Sequence, residues 1–197
     1  MPTKSVDRAS ARDRLLAAAG ELFYEEGVHT VGIDRVIERA GVAKASLYNA
    51  FGSKDELVKA YLASRHAATQ ERVTAGLATR YDTARERLLG VFEIQGETIA
   101  KPGFRGCAFV GASAESGSDS CVRAASDEFR GWLRNLFLEL ATEAGADEPT
   151  SLARQLCLLY DGAMVSAWMD RDPDAARQAR AIAALLVDKS IKAPAQS

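Results

Sequence analysis

Eight residues near the N-terminus, Ala43-Lys44-Ala45-Ser46-Leu47-Tyr48-Asn49-Ala50, carry side chains suited to reading a nucleic acid. Lys44 is a cation that can approach guanine acceptors or a phosphate. Ala45 offers a methyl to the methyl of thymine. Ser46 and the Tyr48 hydroxyl can bond a phosphate or a base, and Asn49 can pair with adenine or hold a phosphate. Leu47 and Phe51 fall at i and i+4. On a helix, that spacing turns one face to a core and leaves the polar groups together on the other. Just beyond, Ser53-Lys54-Asp55-Glu56 has the S-x-x-E form of a capping box. Lys54 in the first turn of the helix it opens would stand beside amides already aimed at an anion, which makes a phosphate clamp.

Other chemistry is thinly represented. The only histidines are His29 and His66, and the cysteines are Cys107, Cys121 and Cys157. An odd count at wide spacing gives neither a disulfide framework nor a C-x-x-C metal signature. No carboxylate pair of diagnostic spacing and no phosphate-cradling glycine loop appear. An enzyme built on a helical bundle is therefore the weaker reading, and neither cofactor nor metal is expected. Cys107 stands near Arg105. A reactive thiol needs a lowered pKa and exposure, whereas free cysteines are usually buried and inert.

The elements that position these residues are helices. No segment alternates like a strand, and apolar residues recur at helical spacing almost throughout. The first helix is expected over about Asp7 to Glu26, with Leu15, Leu16, Ala19, Leu22 and Phe23 on one face and Gly27 as its stop. The second runs over about Ile33 to Arg39, where Gly41 breaks it, and the third over Ala43 to about Ala50. A glycine that permits a left-handed turn, followed by apolar Val42 at the corner, is what a helix-turn-helix needs. Its second helix then lies in the major groove. Helix four follows the cap at Ser53 to about Ala75. Further helices are expected over about Asp82–Ala100, 107–116, Cys121–Glu143 and 149–169. A last one opens at Asp172-Pro173 and ends near Ile191. A loop is read at 116–120, and the tail from Lys192 to Ser197 should fray.

The chain has 197 residues, 47 % hydrophobic and 26 % charged, an ordinary soluble composition. No run approaches the ~18 apolar residues that span a bilayer. Met1 to Arg14 mixes charged and small residues without an apolar stretch, so a cytoplasmic protein with no membrane partner is expected. The net charge is −2. Residues 1–65 carry 10 Lys+Arg against 9 Asp+Glu, and the remainder 15 against 18. The asymmetry is small, with the sign expected if DNA contacts come from the N-terminal part.

From Leu15 to Leu57 the chain resembles the N-terminal domain of the tetracycline-repressor (TetR) family. The resemblance rests on Leu22-Phe23, Gly27, the run Ala40-Gly41-Val42-Ala43-Lys44-Ala45-Ser46-Leu47-Tyr48, then Phe51, Ser53-Lys54 and Leu57. Two positions depart from the pattern. Gly32 stands where many members carry Ser or Thr, which removes a hydroxyl from a phosphate contact, and Asn49-Ala50 stands where Arg or His is common. The stretch Phe104-Arg105-Gly106-Cys107-Ala108-Phe109 resembles a Gly-Cys segment of one branch of the family.

The resemblance implies an all-α chain: a three-helix helix-turn-helix domain at 1–53, then a helical-bundle regulatory and dimerisation domain at 54–197, with helix 54–75 connecting the two. It implies a DNA-binding transcription regulator, most often a repressor, that acts as a homodimer on a palindromic double-stranded operator and is modulated by a small molecule. A protein-binding adaptor that kept the scaffold is the remaining alternative. The candidate DNA contacts are Lys44, Ala45, Ser46, Tyr48, Asn49 and Lys54. Candidate ligand contacts are Phe92, Gln95, Phe109, Glu115, Trp132 and Met164, although aromatic residues and methionines at helical spacing are core more often than pocket. Gln95 and Glu115 are either polar contacts inside a cavity or solvated. The dimer face is expected on the last two helices, through Leu152, Leu156, Leu159, Ala163 and Ser166–Ala167, and Ala179, Ile182, Ala183 and Leu186.

Overall fold

The computed structural model describes residues 9–117 and 120–191. The expected helix start at Asp7, part of the 116–120 loop and the tail from Lys192 lie outside them. Among the described residues there are nine helices and no strand. They are α1 (Ala11–Glu26), α2 (Ile33–Ala40), α3 (Lys44–Phe51), α4 (Lys54–Arg80), α5 (Ala84–Ile99), α6 (Ala108–Glu115), α7 (Cys121–Glu143), α8 (Pro149–Met169) and α9 (Ala175–Ser190).

Local chemistry sets several of the ends. Ser10 and Asp13 cap α1 reciprocally, as Thr83 and Glu86 cap α5. These are full capping boxes. The box expected at α4 is half made. Ser53 Oγ accepts the Glu56 N–H at 3.2 Å, while the Glu56 carboxylate turns outward to Lys59. Helix α4 runs five residues past its expected end, because Val73 and Leu77 are buried at i and i+4 and draw it across a second core. Helix α9 begins later than Asp172-Pro173 suggested. Asp172 Oδ1 accepts the Asp174 N–H at 2.9 Å in a turn, and Ala175 is the first helical residue.

Two cores form along the long helices. The first gathers Leu15, Ala19, Leu22 and Phe23 of α1, Val36 of α2 and Leu47 and Phe51 of α3. It is closed by Leu57, Val58, Tyr61 and Leu62 of α4, with Phe109 and Ala112 of α6 and Val122 and Phe129 of α7. The second holds the far end of α4, α5, the rest of α7, α8 and α9. Helices α4 and α7 thus give their first turns to one core and their last turns to the other, with Trp132 half-buried against both. The two cores are thus bridged by the same two helices.

The outer face of α8 and α9 differs from the expected one. Leu152, Leu156, Ala163, Ala167, Ala179 and Ala183 are buried inside the monomer, and Leu159 and Leu186 are half-buried against the same core. Only Ile182 of the leading residues is exposed. The apolar side chains that face outward are Leu158, Val165, Trp168 and Met169 on α8, with Leu185 beside Ile182 on α9. Apolar residues stand on more than one side of α8 and α9, so periodicity alone does not choose the inward face.

Candidate functional site

Helices α2 and α3 are joined by Gly41, whose φ of 61° and ψ of 45° are left-handed. Its N–H closes back on the last carbonyls of α2, and Val42 packs half-buried beneath the corner. Arg14 of α1 donates to the Gly41 carbonyl at 3.2 Å and fixes the turn from the other side. Leu47 is fully buried and Phe51 nearly so, which orients α3. Lys44, Ala45, Tyr48 and Asn49 are exposed and Ser46 is half-exposed, so the predicted groove residues share the outer face of one helix. Tyr48, 46 % exposed, is the one large apolar side chain on this face left open to solvent. Neither α2, opening at Gly32, nor α3, opening at Ala43, has a side-chain cap, in contrast to α1, α4 and α5. Uncapped first-turn amides suit an anion.

The cations on this face are lightly held. Lys44 Nζ lies 2.9 Å from Asp34 Oδ1 at the start of α2, and that hydrogen bond raises the ammonium pKa above its ordinary value. The pair is exposed, so water competes for it, and a phosphate could take the place of Asp34. Lys54 Nζ reaches the His29 carbonyl at a long 3.4 Å.

The turn between α1 and α2 is fastened to the second half of the molecule. Glu115, at the end of α6, accepts the His29 N–H at 2.8 Å. Gly27 has a φ of 97°, and a Cβ there would run into the Glu115 carboxylate. Glu115 is therefore a strut between α6 and the helix-turn-helix unit. A second tie joins α1 to the loop before α6. Tyr24 Oη accepts the Arg105 N–H at 2.9 Å and donates to the Gly106 carbonyl at 3.0 Å. Arg65 of α4 stacks 4.3 Å above the Tyr24 ring. A Tyr24→Phe variant keeps the ring and its cation but loses both hydrogen bonds. Thermal or urea unfolding is expected to show about 1–2 kcal/mol of destabilisation.

Behind Tyr24 lies a cavity of about 260 Å³. Arg65, Thr69 and Arg72 of α4, Thr98 of α5, loop residues Lys101–Phe104 and Gly106, and Tyr160 and Met164 of α8 line it. A larger, mainly apolar cavity of about 560 Å³ opens toward Val110, Val165, Trp168 and Met169. The two share a wall of Gly106, Cys107, Phe109, Phe129, Tyr160 and Met164. Phe109 and Phe129 stack there with ring centroids 4.2 Å apart.

Of the six candidate ligand residues, Phe109 and Met164 stand on this wall. Phe92 is packed in the core against Phe137 and Tyr160. Gln95, only 2 % exposed, donates to the Tyr160 carbonyl at 2.7 Å and leaves its Oε1 unpaired. Trp132 packs against Phe129 and His66. These three do not line either cavity, and Glu115 has the separate place described above. Tyr24, Arg65, Arg72 and Lys101 also line the cavity and are not among the residues expected there from the sequence. A signal for two of them was present, since Arg65, Thr69 and Arg72 recur at i, i+4 and i+7 on an otherwise apolar side of α4.

Burial pushes the Cys107 thiol above its ordinary pKa, and does the same to Cys157, up to about 11. A thiol held protonated is a poor nucleophile. Among the described residues no group of three or more His, Cys, Asp or Glu is placed to hold a metal, and no helix is long and apolar enough to cross a membrane.

Comparison with known proteins agrees with this arrangement. The family model described as bacterial regulatory proteins, tetR family, matches residues 15–61. The HTH-type transcriptional activator FasR of Mycolicibacterium smegmatis is 48 % identical over 59 residues, 30 % of this chain and 26 % of that protein. The match therefore spans about a quarter of that relative's length. The transcriptional regulator AcuR of Cereibacter sphaeroides is 30 % identical over 188 residues, covering 88 % of this chain and 83 % of the relative. Among solved structures, a TetR-family transcriptional regulator from Streptomyces coelicolor superposes with a TM-score of 0.87 at 33 % identity, over 92 % of this chain and 96 % of that one. The reduced form of E. coli NemR gives 0.78 at 26 % identity, over 95 % and 100 %. Resemblance that runs beyond the helix-turn-helix through the whole helical body means that the chain belongs to the TetR family of transcriptional regulators.

Proposed function

We propose that the protein is a homodimeric repressor that binds a palindromic operator through α3 and leaves it when a small molecule fills the cavity behind Tyr24. The observation that carries this reading is the position of Tyr24. It belongs to α1 of the DNA-binding unit, lines the cavity, and is tied to the loop at Arg105 and Gly106. A ligand there touches both halves of the molecule, so it can bind two relative arrangements of them unequally. A ligand shifts a conformational equilibrium only by such a difference. The residues from 54 onward then form the regulatory domain, with α4 as the connecting rod.

A second copy of the chain covers the apolar outer face of α8 and α9. Two-fold pairing through two helices per subunit gives a four-helix interface. It sets the two copies of α3 roughly 34 Å apart, one turn of DNA, on one side of the duplex. Release follows if the ligand changes that spacing.

Gel-shift titration with DNA from upstream of the protein's own gene tests the DNA contacts. Lys44→Ala and Tyr48→Ala are each expected to weaken binding by about 1–3 kcal/mol, the range of a good base contact. Lys54→Ala should weaken specific and non-specific DNA alike and lower the salt slope by about one. Full affinity in all three variants would remove α3 from the groove.

A further inference from the structure

We infer that the cavity behind Tyr24 takes a small organic carboxylate with an apolar body. The inference rests on the ligand-responsive reading above and names the chemistry of its ligand. Among the described residues three cations line the cavity, Arg65, Arg72 and Lys101, and no Asp or Glu does. None of the three has an ion-pair partner among the described residues, whereas ten other Lys and Arg side chains there do. Glu97, whose carboxylate feels Arg72 and Lys101, is bound to Arg80 and does not line the cavity. Across the shared wall, Asp161 is bound to Arg130.

Arg72 is the firmest element. Its Nη2 has only a long 3.5 Å contact to Thr69, and its Nε has no hydrogen-bond partner among the described residues. An unpaired buried donor on a charged group is costly, and a carboxylate offers the paired oxygens to which a guanidinium fork donates. Tyr160 adds a hydroxyl with no protein partner among the described residues, and burial raises its pKa, so it stays a neutral donor. Phe104, Phe129 and Met164 supply an apolar wall beside these donors. Inorganic phosphate satisfies the cations and leaves that wall bare. A carboxylate with a short aliphatic or aromatic body satisfies both, within a volume that admits only a small molecule.

Calorimetric titration of the full chain tests this with a series of carboxylates from acetate to hexanoate, with benzoate and phenylacetate, each against its own amide. At least one acid of the series is expected to bind more than tenfold tighter than its amide and tighter than inorganic phosphate. That preference should fall about tenfold to hundredfold in Arg72→Gln, the weight of hydrogen bonds to a charged group. It should fall more modestly in Lys101→Gln, an exposed loop position whose change does not threaten folding. Unfolding of each variant without ligand checks that it is native. Two results overturn the assignment: no acid bound better than its amide, or a preference undiminished in both variants. Operator release by an uncharged compound, with equal affinity for wild type and Arg72→Gln, also overturns it and leaves ligand control standing. An acid that binds through Arg72 and leaves operator affinity unchanged upholds the anion site and overturns ligand control instead.

Discussion

A Leu185→Glu variant is expected to sediment as a monomer at micromolar concentration and to lose about 10²–10⁴-fold in operator affinity. Leu185 and Leu158 are each 72 % exposed and Met169 is 71 % exposed, with Ile182 and Val165 beside them on the same two helices. Isolated exposed apolar residues are common, but stripes on two adjoining helices mark an interaction surface. On α8, Leu158, Gly162, Val165 and Met169 follow i, i+4, i+7 and i+11, and Gly162 has open space around it that lets another helix approach. A carboxylate at 185 would be buried unpaired in the dimer and freely hydrated in the monomer, so it acts on association and spares the fold. Leu186, one residue on, packs against the monomer core instead. The loss in DNA binding comes from avidity, since one half-site then holds the protein where two held it. Analytical ultracentrifugation and gel shift read the two effects separately. A variant that stays dimeric would move the interface elsewhere.

Leu47→Ala is expected to cost about 2–5 kcal/mol of stability, the range for emptying a buried leucine site. Leu47 is fully buried in the core shared by α1, α2, α3 and the first turns of α4. Short α3 has no side-chain cap at its start, so tertiary packing, not intrinsic propensity, has to hold it in place. Total stabilities of domains are only about 5–15 kcal/mol. The substitution should therefore loosen the recognition helix ahead of the rest, because the second core shares none of its neighbours. Hydrogen exchange should show lost protection over 33–51 with α8 and α9 unchanged. Uniform loss across the chain would mean that the two cores unfold as one unit.

The recognition unit was legible in the sequence because its parts are local. The i, i+4 pair Leu47 and Phe51 and the left-handed Gly41 lie within eleven residues, and each has a single structural meaning. The caps at Ser10-x-x-Asp13 and Thr83-x-x-Glu86 are equally local, yet the sequence reading placed those helix starts at about Asp7 and Asp82 instead. The cavity was illegible for the opposite reason. Arg65, Arg72 and Lys101 come from α4 and a loop beyond α5, and only packing brings them together with Tyr24 of α1. Glu115 reads as a pocket residue after a run of small residues, yet its partner, the His29 N–H, is 86 positions away. On α8 and α9, Leu156 and Leu158 have the same chemistry and opposite surroundings, a distinction that only the third dimension makes.

Footprinting on the DNA upstream of the protein's own gene, over a range of salt concentrations, tests most directly whether α3 reads DNA as one half of a two-fold dimer. A protected palindrome is expected whose half-sites lie about one helical turn apart, with affinity falling steeply as salt rises. Absence of specific, salt-sensitive protection, or protection of a single half-site by a dimer, would contradict it.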